Sequence, residues 1–278
     1  MALAETLAGT RIGFVGAGAM AEALAGGLRA AGVEAGALRL ADPDPSRRKH
    51  VEQALGVETT DDNAALVAAS DLVVLAVKPQ VVPAVLAGLA DAPERGRPLW
   101  VSIAAGVRIA RLESALGAGA RIVRAMPNTP ALIRCGATAL CGNAAATPED
   151  LARAEALFTS VGHCWTAPRE ALLDAVTGLS GSGPAYVFVF LEALGDAGVR
   201  MGLPRDAAYA LAFQTVLGAA RLAIEDGRHP AALKDQVTSP GGTTIAGLER
   251  LEAGGLRAAV YDAVAAATRR SRELAEED

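Results

Sequence analysis

Near the end of the chain, residues 234–245 read Lys-Asp-Gln-Val-Thr-Ser-Pro-Gly-Gly-Thr-Thr-Ile. The helical spacing at the start of this segment breaks at the Pro-Gly-Gly triplet, which allows a sharp turn with exposed backbone N–H groups. If Thr243 or Thr244 opens the next helix, the free amides and positive dipole end of that helix point at the same spot. The pattern favours a loop that holds a small carboxylate and offers it hydroxyl donors. An N-capped turn between two helices is the plainer alternative.

A second candidate site follows the first apolar run, residues 11–16. The sequence Gly16-Ala-Gly-Ala-Met-Ala21 matches G-x-G-x-x-A between a strand and a helix, the context that makes a dinucleotide-binding fingerprint credible. In this interpretation Gly16 permits the tight turn and Gly18 lets a pyrophosphate approach the backbone. Ala21 is small enough for close packing of helix and strand.

Further apolar runs, each separated by a helix-like segment, predict strands at 37–41, 71–77, 99–104, 121–126 and, as the last one, 161–166. Near-continuous apolar strands between helices indicate a parallel sheet that is covered on both faces. Ligands of such sheets bind beyond the carboxyl ends of the strands. The loops that fall at this edge are residues 16–20, 77–80, 104–106 and 126–130. The first half of the chain is therefore predicted to be a Rossmann-type nucleotide-binding domain.

The end of the second predicted strand bears on the type of cofactor. Asp42 sits where a carboxylate accepts hydrogen bonds from the ribose hydroxyls of NAD, whereas Ser46, Arg47 and Arg48 could cradle a 2′-phosphate. The two arginines could equally be the solvated first turn of a helix that begins near Pro45. The residues alone leave these interpretations open, and NADPH is predicted over NADH.

From residue 168 onward the pattern is helical, with helices predicted at about 169–180, 184–201, 204–226, 229–238 and 243–275. We therefore predict an α/β fold in which a Rossmann domain at 1–167 precedes an all-α domain at 168–278. The second and third of these helices are apolar on nearly every face, so they must be buried on all sides. Because a single chain cannot easily surround both, they predict a homodimer interface.

Composition excludes several classes of protein. The net charge of −5 and the scattered arginines argue against a nucleic-acid partner. Residues 1–10 lack the features of a signal peptide, and charges or glycines interrupt each apolar window, so no membrane span is predicted. Cys135, Cys141 and Cys164 are odd in number and lack C-x-x-C spacing, which indicates reduced thiols in a cytoplasmic protein.

Candidate acids and bases are few, since the only lysines are Lys49, Lys78 and Lys234. Of the three histidines, His50 is predicted to be solvated, His163 to be packed in the core, and His229 to cap a helix. No spacing resembles paired metal ligands or a nucleophilic triad, so no metal is expected. These residues favour a reaction that relies on a positioned cofactor rather than on a strong general base.

Six motifs occur in order: F-V-G-A-G-A-M-A-E-A-L (14–24), A-V-K-P-Q (76–80), S-I-A-A-G-V (102–107), R-A-M-P-N-T-P-A-L (124–132), G-L-S-G-S-G-P-A-Y-V-F (178–188) and L-K-D-Q-V-T-S-P-G-G-T-T-I (233–245). Together they closely resemble the pyrroline-5-carboxylate reductases, over about residues 10–275. The resemblance implies that NADPH, or alternatively NADH, reduces the C=N bond of 1-pyrroline-5-carboxylate to L-proline, the last step of proline biosynthesis. It also implies that dimers stack into larger rings, such as a decamer.

The resemblance further implies a role for each site residue. The substrate carboxylate is expected to lie against Ser239, Gly241, Gly242 and Thr243, while the hydroxyl of Thr244, the expected catalytic group, reaches the ring nitrogen. Lys78 is expected to line the cofactor pocket, and Asn128 to help position the nicotinamide. The full set of expected cofactor contacts is Gly16, Ala17, Gly18, Ala19, Met20, Asp42, Arg47, Ala76, Val77, Lys78, Pro79, Ala104, Ala105 and Asn128.

Two other functions fit parts of the pattern. A 3-hydroxyacid dehydrogenase-like oxidoreductase also joins a Rossmann domain to a helical one, but it needs a catalytic lysine, and no lysine occurs between residues 79 and 233. A nucleotide-sensing protein without turnover is the other alternative, and the intact loop at 239–244 disfavours it.

Overall fold

The computed structural model describes residues 3–92 and 95–277. Two compact units make up the chain: a first unit of Met1–Ser182 with Ala266–Asp278, and a second unit of Gly183–Ala265. The domain boundary expected after residue 167 stays a prediction, and its outer limits, residues 1 and 278, lie outside the described residues.

The first unit is built on an eight-stranded sheet with the strand order β3-β2-β1-β4-β5-β6-β7-β8. The strands are β1 Ile12–Val15, β2 Leu38–Ala41, β3 Glu58–Thr60, β4 Leu72–Leu75, β5 Leu99–Ser102, β6 Ile122–Met126, β7 Gly136–Gly142 and β8 Gly162–Thr166. The first six strands pair with one another in parallel, which confirms the predicted Rossmann-type fold.

Within the described residues, the α-helices of this unit that connect or flank the strands are α1 Leu3–Thr6, α2 Ala19–Ala30, α3 Pro45–Leu55, α4 Asn63–Ala69, α5 Val82–Gly88, α6 Ile109–Leu116, α7 Pro148–Thr159 and α8 Leu172–Val176. Successive side chains of a strand point to opposite faces of the sheet. In β4, accordingly, Val74 packs into the apolar cluster on one face, while Val73 and Leu75 pack into the cluster on the other. Both faces of the central sheet are thus buried, as near-continuous apolar strands predict.

The far edge of the sheet differs from the prediction. β7 pairs with β6 in the antiparallel direction, and β8 then pairs with β7 in parallel, so the sheet is mixed. The predicted strand at 161–166 is present as β8, but it is an edge strand with one exposed face. The prediction that His163 is packed in the core is therefore wrong, because the His163 side chain lies on that exposed face.

The start of α7 illustrates how local sequence sets an element. The Thr147 side chain accepts a hydrogen bond from the backbone N–H of Asp150, whose carboxylate accepts one from the N–H of Thr147. With Pro148 at the first helical position, this capping box satisfies amides that the helix itself leaves free.

The second unit contains α9 Gly183–Arg200, α10 Arg205–Asp226, α11 Pro230–Gln236, α12 Thr243–Ala253 and the first part of α13 Leu256–Glu277. The single helix predicted for 243–275 is wrong, since the chain breaks at Gly254 and Gly255, the latter with φ of 72°. α9 and α10 pack through small residues: a Cβ on Gly195 would lie 3.0 Å from the ring of Tyr209.

Large apolar side chains on the other faces of α9 and α10 point outward. Phe188 is 64% exposed, Val189 66% and Ile224 81%. By length and composition alone α10 is apolar enough to cross a membrane, which the sequence windows did not predict. One such helix is weak evidence for a span, and these exposed side chains lie on the two helices from which the sequence predicts a homodimer interface.

Candidate active site

The turn between β1 and α2 carries the glycine-rich fingerprint. Gly16 has φ of 96°, and a Cβ there would lie 2.8 Å from the carbonyl oxygen of Ala76, so only glycine fits between the ends of β1 and β4. Gly18 precedes α2 and has no heavy atom within 4 Å of a would-be Cβ. This open approach to the first amides of a helix fits a pyrophosphate group.

Asp42, at the end of β2, is bound to the glycine-rich turn. Its carboxylate accepts hydrogen bonds from the backbone N–H of Ala17 at 3.1 Å and of Asp44 at 3.0 Å. The backbone N–H of Gly16 donates to the Ala41 carbonyl at 2.8 Å. Two strand ends and the turn are therefore fixed together at the carboxyl edge of the sheet.

The two arginines of α3 are engaged with the same region. Arg47 donates from Nε to the Ala17 carbonyl and pairs with the carboxylate of Glu22, and Arg48 donates to the Asp42 carbonyl at 2.7 Å. Both arginine side chains are partly buried, so they are not simply the solvated first turn of α3. His50, expected to be solvated, is exposed but lies 3.2 Å from Glu22.

The loops after β4 and β5 line a cavity of ≈320 Å³ in the first unit. Of the expected cofactor residues, Pro79 and Ala105 line it together with Gln80 and Gly106, and Lys78 directly precedes the 3₁₀ turn Pro79–Val81. Ala104 is buried in the core, whereas Ala76 and Val77 pack on either side of the sheet. Ala76, Val77 and Ala104 therefore pack against the core beneath the loops and do not line the cavity.

Asn128 is committed to protein contacts. Its Nδ2 donates to the Ser180 carbonyl at 3.0 Å, and its Oδ1 accepts from the backbone N–H of Ala137 at 2.9 Å. Ser180 belongs to a π-helical turn, Thr177–Gly181, that continues α8. Asn128 thus ties this turn to the loop after β6, and its contact with a nicotinamide stays a prediction.

Two pairs of interacting polar side chains in the interior were not predicted from the sequence. Arg124 in β6 is 3% exposed and pairs with Glu170 at 2.7 Å. An arginine inside an apolar strand was a usable signal, although nothing marked Glu170 as its partner. Ser271 donates to the buried carboxylate of Asp174 at 2.8 Å, and neither residue stood out in the sequence.

In the second unit, residues 239–242 form a tight loop before α12, and Thr243 and Thr244 are the first two residues of that helix. Gly241 has φ of 69°, and the N–H of Gly242 donates to the Ser239 carbonyl at 3.1 Å. No side chain caps α12 and no acidic residue lies in its first turn. The amides of Thr243 and Thr244 therefore begin a helix whose positive end suits a carboxylate. His229 caps α11 by accepting from the N–H of Ala231, as predicted.

A cavity of ≈460 Å³ adjoins this loop and is lined in part by Lys234, Gly241, Gly242 and Ile245. Lys234 pairs with Asp235 at 2.7 Å. Within residues 3–92 and 95–277, no group of three His, Cys, Asp or Glu side chains could hold a metal ion. The loop thus offers hydroxyls and amides, the donors that a carboxylate needs.

Comparison with family models gives two matches. Residues 170–274 match the model described as pyrroline-5-carboxylate reductase dimerisation, and residues 11–106 match that described as NADP oxidoreductase coenzyme F420-dependent. The first match covers the helical region and the second covers the glycine-rich half of the sheet.

The chain is similar over most of its length to several curated proteins and solved structures. It is 48% identical to pyrroline-5-carboxylate reductase of Synechocystis, covering 95% of this chain and 98% of that protein, and 42% identical to that of Escherichia coli over the same shares. A pyrroline-5-carboxylate reductase structure from Coxiella burnetii matches with a TM-score of 0.91 at 39% identity, covering 95% and 98% of the two chains. A pyrroline carboxylate reductase from Plasmodium falciparum with NADP bound matches with a TM-score of 0.85 at 33% identity, covering 96% and 98%.

Proposed function

The chain belongs to the pyrroline-5-carboxylate reductase family, and we propose a role for each of its site residues in that reaction. The enzyme is an NADP-dependent oxidoreductase that reduces the C=N bond of 1-pyrroline-5-carboxylate to give L-proline, the last step of proline biosynthesis. When bound, the cofactor would supply the hydride that the imine carbon accepts, the atom that becomes C5 of proline.

The glycine-rich edge of the first unit is the proposed cofactor site. Residues 16–20 hold the pyrophosphate, because the open space at Gly18 and the start of α2 suit an anionic group. Asp42 and Arg47 flank the adenosine ribose, and the Arg47 guanidinium, which also contacts the Ala17 carbonyl and Glu22, pairs with a 2′-phosphate. The loops that contain Lys78, Pro79 and Ala105 take the nicotinamide half.

The loop Ser239–Thr244 is the proposed substrate site, and its geometry is the observation that carries the proposal. The hydroxyl of Ser239 and the amides that begin α12 hold the substrate carboxylate, and Gly241 and Gly242 let it approach the backbone. The Thr244 hydroxyl makes a hydrogen bond to the ring nitrogen. Because the imine is readily protonated near neutral pH, the protein mainly positions the imine carbon against the nicotinamide and needs no strong base.

This function is tested by measuring how much proline forms for each cofactor molecule oxidised. Purified protein is given racemic 1-pyrroline-5-carboxylate with NADPH and, separately, NADH, and cofactor oxidation and proline formation are both measured. We expect one proline per NADPH oxidised and a lower kcat/KM with NADH. Absence of substrate-dependent oxidation with both cofactors would contradict the proposal.

The enzyme self-associates through its dimerisation region. We extend this to a homodimer formed by the exposed apolar faces of α9 and α10, with stacking into a decamer as the family resemblance implies. Support comes from Phe188, Val189 and Ile224, each more than half exposed in the single chain. We place the enzyme in the cytoplasm, in keeping with the free thiols of Cys135, Cys141 and Cys164.

A further inference from the structure

The cavity at the loops after β4 and β5 has a second wall made of helices. Pro79 and Gln80, with Ala105 and Gly106, form the wall at the strand ends. The other lining residues are Thr177, from the π-helical turn, and Ser271 and Leu274, from the last turns of α13. The end of α13 belongs to the first unit, so every lining residue lies in one compact unit.

One buried hydrogen bond fixes this helical wall. The Ser271 hydroxyl donates to Oδ1 of Asp174 at 2.8 Å, and the two residues are only 6% and 3% exposed. A buried carboxylate that loses its donor is strongly disfavoured, so this bond holds the end of α13 on α8. The π-helical turn begins three residues after Asp174, and such turns are frequent at functional sites.

The strand order indicates which half of the cofactor reaches the cavity. Asp42 and Arg47 mark the β2 side of β1 as the place of the adenosine half, and β4 and β5 follow on the other side of β1. A dinucleotide laid across the edge therefore extends its nicotinamide half towards Pro79 and Ala105. The cavity wall that faces this half includes Ser271 and Leu274.

We propose that Ser271 is a positioning residue for the nicotinamide half of the cofactor, acting through its hydrogen bond to Asp174 to hold the wall formed by Leu274. The inference rests on the proposed function and deepens it, because it assigns the end of the C-terminal helix to the cofactor site.

The test compares two ligands by calorimetry. NADPH spans the whole edge, whereas 2′,5′-ADP contains only the adenosine half. For Ser271→Ala we expect the Kd of NADPH to rise about five- to tenfold, the loss of one buried hydrogen bond, while the Kd of 2′,5′-ADP stays unchanged. Leu274→Ala alters the cavity wall but keeps the hydrogen bond between Ser271 and Asp174. It should also raise the Kd of NADPH and leave the Kd of 2′,5′-ADP unchanged.

Ser114→Ala is the matched control. Ser114 is also a helical serine, but it donates to the Ala110 carbonyl within α6 and does not line the cavity, so neither Kd should change. Unchanged NADPH binding in both Ser271→Ala and Leu274→Ala would overturn the inference, as would an equal loss of both ligands. Failure of the proposed function is a separate result, since it would leave the wild-type protein without pyrroline-5-carboxylate-dependent oxidation of NADPH.

Discussion

A Cβ on Gly242 would lie 2.3 Å from the hydroxyl oxygen of Ser239, so the backbone at the start of α12 packs directly against this side chain. No other residue type fits at position 242 unless the Ser239 hydroxyl moves. The Ser239 hydroxyl therefore occupies the space that a side chain at position 242 would need, and its position depends on glycine there.

Gly242→Ala should consequently damage substrate binding. We expect the KM for pyrroline-5-carboxylate to rise at least about tenfold, a loss of ~1.4 kcal/mol, because Ser239 must leave its position. Binding of NADPH, measured by calorimetry, should be unchanged.

Gly247→Ala is the control for this substitution. Gly247 lies in the same helix and has no heavy atom within 4 Å of a would-be Cβ, so alanine should leave both constants unchanged. Equal behaviour of the two variants would contradict the assignment of Gly242.

Arg47 and Arg48 are expected to favour NADPH over NADH. The double variant Arg47→Ala, Arg48→Ala should raise the KM for NADPH far more than that for NADH, because guanidinium groups pair with a 2′-phosphate. The KM for NADH should rise slightly, since Arg47 also holds the Ala17 carbonyl of the shared turn. Lys49→Ala, at an exposed neighbour, is the control. Equal effects on both cofactors would show that the arginines do not read the phosphate.

Local sequence was sufficient for the features whose causes lie within a few residues. The glycine-rich turn, the cap at Thr147 and the loop Ser239–Thr244 each depend on residue types at fixed short spacing. β7 was missed because Gly-Ala-Thr-Ala-Leu-Cys-Gly has few large apolar residues, and its strand character comes from pairing with β6 and β8.

Pairings between distant residues could not be predicted. Arg124 meets Glu170 across 46 positions of sequence, and Ser271 meets Asp174 across 97. Arg124 stands out as a charge in an apolar strand, but the other three are ordinary polar residues until the fold brings the partners together. The same reason explains His163, whose exposure depends on β8 being the last strand of the sheet.

The apolar faces of α9 and α10 predict the behaviour of the chain in solution. Val189→Glu places a charge on the proposed interface, where its burial is costly, and should shift the assembly towards single chains in light scattering. Ile133→Glu is the control, because Ile133 is similarly exposed, at 74%, but ends the 3₁₀ helix Thr129–Ile133 of the first unit. A wild-type protein that scatters as a single chain at micromolar concentration would refute the interface.

The three thiols should differ in reactivity. Burial raises the pKa of Cys164 to about 12, with Glu155 adding to the effect, so this thiol is protonated and unreactive at pH 8. Burial likewise raises the pKa of Cys141. Cys135 is exposed, and iodoacetamide at pH 8 should label it alone in the folded protein, as read by peptide mass spectrometry. Labelling of Cys164 at the rate of Cys135 would contradict the raised pKa of this partly buried thiol.

Turnover at saturating substrate measures whether the Thr244 hydroxyl takes part in the reaction. Thr244→Ala removes one positioned hydrogen bond to the ring nitrogen, whose charge changes in the transition state. It should lower kcat by about 10²–10³, or ~2–4 kcal/mol, with NADPH binding unchanged. Thr244→Ser keeps the hydroxyl and should retain most of the turnover. A Thr244→Ala enzyme with wild-type kcat would show that the Thr244 hydroxyl does not stabilise the transition state.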